Sequence, residues 1–315
     1  MLLTIAIIVV IIIIVRATKK RTPTKSSTYQ QPSNNEVTEL PEMREDESAI
    51  EYFERLTDEQ KGFLLDHMDL DDTEPSEDND LKDMNNVESD EPFIPAPDIF
   101  TPTDDQIARK NRSIDYCKQH EVPFINHLPY YPSEEETTLR SQEEIINRMM
   151  ALFYFVFIAE GSNVEELNGF DEAFQASQHL SPKEKAFIAS DDRTELETVS
   201  AVWRYESLFV LLWALGFEDE LDYPSGMCNP PEMIKMIIAE GRAGIEEKAQ
   251  LRSKVTLLDQ ADLAYRLHWA CVNAKIKGEP SPADLNKSTV WERRYALNWL
   301  IAYDDTGWDD VRLDT

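Results

Sequence analysis

The stretch TELETVSAVWRYESLFVLLWALG, Thr194–Gly216, decides the fold. Thr194 precedes Glu197 by three residues, the spacing of a capping box that opens a helix. Nineteen residues after Glu197, Gly216 stands where a left-handed residue stops one. Between them lies an apolar run with only a few polar insertions, among them Arg204, Glu206 and Ser207. It has no two-residue alternation, so it predicts a largely buried helix over 195–215.

The same start signal recurs on both sides. Thr103 precedes Gln106, Ser141 precedes Glu144, Ser181-Pro182 precedes Glu184, Asn229-Pro230 precedes Glu232 and Thr289 precedes Glu292. Gly161, Gly241 and Gly278 repeat the stop. Helices are predicted near 104–120, 142–160, 164–177, 182–189, 195–215, 230–240, 257–276 and 289–303. No segment alternates with β-branched enrichment. The fold class expected is all-α, a multi-helix globular domain over 98–315.

The chain in front of that domain reads differently. Residues 1–16 are almost wholly Leu, Ile, Val and Ala, and five cations (Arg16, Lys19, Lys20, Arg21, Lys25) follow the apolar run with none before it. The fifteen residues Met1–Val15, polar only at Thr4, reach about 22 Å as a helix. Flanking Lys and Arg can snorkel to make up the bilayer thickness. A cleaved signal peptide needs the opposite flanks. The expectation is a single transmembrane anchor at 1–16 with the rest on the cytoplasmic side, a single-pass protein of the cell membrane. Residues 17–97 are expected to be a disordered, mostly acidic linker with a short helical pair at 48–68. Glu36–Pro92 alone holds 22 acidic residues against four basic ones, Arg44, Arg55, Lys61 and Lys82.

That charge excludes some functions. The 315 residues carry a net charge of −30, which opposes nucleic-acid binding. Nine scattered glycines form no phosphate-cradling loop, and HExxH, GxSxG and CxxC are all absent. Three well-separated cysteines fit a reducing compartment rather than a disulfide framework. No cofactor is expected.

Four segments in order, EVPFINHLPYYPSEEETTLRSQEEIINRMMAL (Glu121–Leu152), WRYESLFVLLWALG (Trp203–Gly216), DLAYRLHWACVNA (Asp262–Ala274) and ERRYALNWLIAYDDTGWDDV (Glu292–Val311), resemble the bacterial family catalogued as domain of unknown function 4272. The likeness runs from about Asn111 to the C-terminus. It implies a helical intracellular domain and assigns no reaction, cofactor or catalytic residue.

Candidate site residues therefore come from helical wheels. On 257–276, Asp259, Asp262, Arg266 and Asn273 share one polar stripe, with Asp262 and Arg266 spaced for an ion pair. His268 points the other way, as a general base of perturbed pKa or as a satisfied core histidine. Arg204 and Glu206 lie in an apolar helix, and Arg293 and Arg294 in one with no purely polar side. Arg204, Arg266 and Arg294 line an anion-binding pocket if these groups converge, with His268 or Glu206 moving protons. The other outcome of their convergence is a closed structural ion-pair network. Cys117, His120, His268 and Cys271, paired at i,i+3, form a weaker candidate zinc set. Two functions follow. One is a protein-interaction or scaffold module bound to the membrane through residues 1–16 and to an unidentified protein partner. The other is an enzyme or sensor for an anionic small molecule.

Overall fold

The computed structural model describes residues 100–314 without a break, together with Pro41, Arg44, Tyr52, Arg55, Leu56, Thr57 and Gln60. The expected anchor at 1–16 and nearly all of the 17–97 linker lie outside the described residues. Among the described residues no helix is long and apolar enough to cross a membrane. They form eight α-helices and no strand. These are α1 Asp104–Gln119, α2 Gln142–Ala159, α3 Val164–Phe174, α4 Pro182–Ala189, α5 Glu195–Ala214, α6 Pro230–Lys248, α7 Lys254–Ile276 and α8 Lys287–Leu300.

The capping boxes set most of the starts. Ser141 accepts from the Glu144 amide while Glu144 reaches back to the Ser141 amide, and Ser181/Glu184 and Thr194/Glu197 repeat the exchange. Each pair satisfies two of the amides that a helix start leaves without partners. Elsewhere the expected bounds shift for local reasons. α3 stops at Phe174 because Gln175 is left-handed (φ 53°) and Asp171 takes the Ala176 and Ser177 amides. Gly241 (φ 63°) breaks the helical backbone, yet a second arm resumes at once and runs to Lys248. Asn286, not Thr289, caps α8, and α7 starts at 254 behind Ser253.

The helices pack in the succession α1–α7–α8–α5–α2, with α3, α4 and α6 against the outer side of α2. α2 and α5 are apolar nearly all round and lie at the centre. Phe153, Phe157, Phe170 and Phe174 interlock there, largely edge to face. Such packing contributes beyond the burial of area. A smaller cluster of Cys117, Val122, Leu267, Cys271 and Val290 joins α1 to α7 and α8.

Two side chains of the acidic region belong to the main core. Tyr52 is 0% exposed and donates its hydroxyl to Glu195 Oε2 at 2.9 Å, and Leu56 is buried in the same cluster. Thr57 and Gln60 exchange the two hydrogen bonds of a capping box.

Candidate functional site

α5 and α8 cross with their charged residues facing each other. Ionised groups inside an apolar bundle are stable only when paired and hydrogen-bonded. Arg204 donates Nη1 to Glu292 Oε2 at 3.1 Å, and Ser207 Oγ donates to the same oxygen at 2.5 Å. The Arg204 guanidinium lies over the rings of Tyr295 and Trp291, 4.6 and 5.4 Å from their centroids. Burial pushes the Glu292 carboxyl above its ordinary range, against the pull of Arg204 and Ser207. Two residues along α5 and one along α8, Arg293 donates Nε to Glu206 Oε2 at 2.9 Å. Glu206 also accepts from the Cys228 amide and is 0% exposed.

On α7 the expected pair is present. Arg266 grips Asp262 with Nε at 2.9 Å and Nη2 at 2.8 Å, both groups fully buried. His268 faces the other way and meets α8. Its Nδ1 accepts from Arg294 Nη1 at 2.6 Å, which puts the ring proton on Nε2, a nitrogen with no partner among the described residues. Burial, with Arg294 and Lys287 nearby, holds the imidazole well below its ordinary pKa, so it stays neutral. Arg294 Nη1 and Nη2 also donate to the Leu313 and Asp314 carbonyls of the C-terminal tail, while its Nε has no partner among the described residues. Asn298 and Tyr295 hold that tail at the Arg312 and Trp308 carbonyls.

The structure therefore brings Arg294 to His268, Arg204 to Glu292, Arg266 to Asp262, and Glu206 to Arg293. The three arginines Arg204, Arg266 and Arg294 close on three different partners. Neither of the two open cavities described below is lined by any of them, or by His268 or Glu206. Cys117 and Cys271 lie in the smaller apolar cluster, where burial raises their thiols to about 11 and about 12. His120 stacks on Tyr116 and Tyr223 instead of turning toward them. Among the described residues no group of three or more His, Cys, Asp or Glu is placed to hold a metal ion, so the four-residue zinc set is not assembled.

Sequence reasoning passed over two open places. One is a groove of about 620 Å³ between α2, α4 and the C-terminal tail, with Trp299 and Trp308 in its wall. There the buried Arg148 pairs with Glu184 at 2.6 Å, and Asp309 accepts from the Lys183 amide at the start of α4. The other is a cavity of about 480 Å³ under the 215–229 connection, lined by Phe209, Met233, Glu218, Asp222, Glu232 and Arg293 among others. The available signal was the run EDELD, 218–222, which crowds four acids into a non-helical stretch right after Gly216.

A family model described as a domain of unknown function, DUF4272, matches residues 109–311. No curated protein and no solved structure matches the chain.

Proposed function

The chain belongs to the DUF4272 family, and we propose that it works as a membrane-anchored protein-interaction module. In this reading residues 1–16 hold the helical domain to the inner side of the cell membrane, and the 17–97 segment, packed on the domain at Tyr52 and Leu56, connects the two. The observation that carries the reading is the closure of the Arg/His/Glu set. His268 and Glu206, the candidates for proton transfer, are both 0% exposed and turned onto internal arginines. An enzyme acting on an anionic small molecule through Arg204, Arg266 and Arg294 needs those groups open to substrate. Here Arg204, with 21% of its side chain exposed, ties α5 to α8, Arg294 ties α8 to α7, and Arg266 is bound to Asp262 within α7, which supports the outer surface as the working part.

The test is crosslinking in membranes of the native host, followed by purification of the full chain. A recurrent partner at defined stoichiometry is expected, in the membrane fraction. Recovery of the protein always alone, with a sharp monomeric profile, overturns the reading.

A further inference from the structure

The connection between α5 and α6, residues 215–229, has no helix of its own, yet its backbone is pinned from beneath at several points. Arg252 Nη2 donates to the Glu218 and Asp219 carbonyls at 2.5 and 2.9 Å. Arg293 Nη1 donates to the Asp222 carbonyl, Thr289 Oγ1 to the Gly226 carbonyl at 2.9 Å, and Glu206 takes the Cys228 amide. The buried Glu206–Arg293 pair is thus the floor to which this loop is tied. A loop fixed by its backbone presents its side chains preorganised.

Those side chains are acidic. Glu218, Asp219, Glu220, Asp222 and Glu232 line the cavity of about 480 Å³, and none of them has an ion-pair partner among the described residues. Burial and the neighbouring Asp219 and Asp222 push the Glu218 carboxyl up, the mark of carboxylates that repel one another. The single cation in the wall, Arg293, is already neutralised by Glu206. Among the described residues the carboxylates are not clustered to chelate one ion. The field therefore suits an extended organic cation.

Arg293 adds a separate constraint. It is only 6% exposed, it lies in the cavity wall, and with Nε and Nη1 engaged its Nη2 has no acceptor among the described residues. Solvent reaches that nitrogen, so it is a donor free to meet an oxygen of whatever enters. Phe209, Met227 and Met233 supply apolar wall beside it. A polyamine brings cations without a carbonyl. A peptide rich in Lys and Arg brings cations, carbonyl oxygens and apolar side chains together.

We infer that this cavity is the docking site for a basic peptide segment of a protein partner, with Glu218, Asp219, Asp222 and Glu232 taking its Lys and Arg side chains and Arg293 Nη2 taking a backbone carbonyl. The assignment rests on the interaction-module reading and names the partner's chemistry.

The test uses the full chain and a fluorescent, end-capped Arg-Lys-Leu-Arg peptide at physiological ionic strength. Because so acidic a protein attracts any polycation, two triple variants are compared. One neutralises the cavity (Asp219→Asn, Asp222→Asn, Glu232→Gln). The other removes the same charge from exposed acids elsewhere (Glu135→Gln, Glu172→Gln, Glu247→Gln). The cavity variant should lose at least tenfold in affinity and the control less than twofold. Spermidine, of equal charge, should bind at least tenfold more weakly than the peptide. Equal loss in both variants, no binding by the unmodified protein, or spermidine as tight as the peptide overturns the assignment. A partner still captured at the membrane in that event leaves the interaction reading standing and removes only this site. All the varied residues are exposed and unpaired among the described residues, so thermal denaturation should show each variant folded.

Discussion

Arg294 of α8 donates Nη1 to Nδ1 of His268 of α7 at 2.6 Å, with both side chains shut inside the bundle. The contact fixes one imidazole tautomer and ties two helices and the C-terminal tail through a single guanidinium. A base whose lone pair is already committed to an arginine is poorly placed to take a proton from substrate. The same groups that suggest chemistry in the sequence are, in the fold, a means of keeping charge inside an apolar bundle.

Neutral burial of His268 makes stability depend on pH. The folded protein keeps the ring unprotonated, while the unfolded chain takes up a proton below the ordinary value of 6.5. Stability is therefore lost as pH falls from 6.5 toward the depressed folded value, with a slope approaching about 1.4 kcal/mol per pH unit. Urea denaturation of the native protein and His268→Gln across that window checks it. The variant should lack this part of the slope.

Breaking the Arg204–Glu292 pair on one side should hurt more than removing both charges. Arg204→Met leaves a buried carboxylate unpaired, at a loss of about 3–5 kcal/mol. Combining it with Glu292→Met should recover much of that loss. Ser207 keeps an acceptor in the double variant, the Glu292 carbonyl at 3.2 Å. A double-mutant cycle by chemical denaturation measures the coupling, and additive losses would contradict this account.

Glu184 does two jobs at the start of α4. It returns the capping-box bond to the Ser181 amide and holds the buried Arg148 at 2.6 Å. Ser181→Ala removes one cap interaction and should reduce stability by about 1 kcal/mol. Glu184→Ala also strands the arginine and should reduce it by about 3–5 kcal/mol. Equal losses for the two variants would mean that the ion pair contributes nothing.

Gly161 and Gly216 both adopt positive φ, 93° and 85°, but only one is crowded. A Cβ at Gly161 meets nothing within 4 Å, whereas at Gly216 it comes 3.0 Å from the Gln250 carbonyl oxygen. The chain crosses there because Gln250 and Arg252 donate their amides to the Leu215 and Ala214 carbonyls. Gly161→Ala should reduce stability by about 1–2 kcal/mol from backbone strain alone. Gly216→Ala should exceed that in thermal denaturation, since backbone must move.

Helix number, order and most starts were legible in the sequence because caps and left-handed glycines act within four residues. The second arm of α6 was not, since Gly241 reads as a stop and only packing against α2 and α3 explains the resumption. The Asp262–Arg266 pair was readable from i,i+4 spacing. The partners of Arg204, Arg293 and His268 were not, because a wheel gives direction and not the neighbouring helix. Arg293 shows the limit: its wheel places it among Leu297 and Leu300, while the fold sets it under a loop against Glu206. The pinning of 215–229 depends on Arg252 and Thr289, distant in sequence from the loop they hold.

The central claim is that the ionised core is closed and the domain works through its surface. Chemical modification of the native protein with diethyl pyrocarbonate, read histidine by histidine by mass spectrometry, tests it most directly. The reagent attacks neutral imidazole, so the depressed pKa of His268 gives no protection and only access decides. Exposed His127 should react readily while His268 stays unmodified until the protein is unfolded. Reaction of His268 in the folded protein at a rate near that of His127 would contradict the closed core and return the buried cluster to candidacy as an active site.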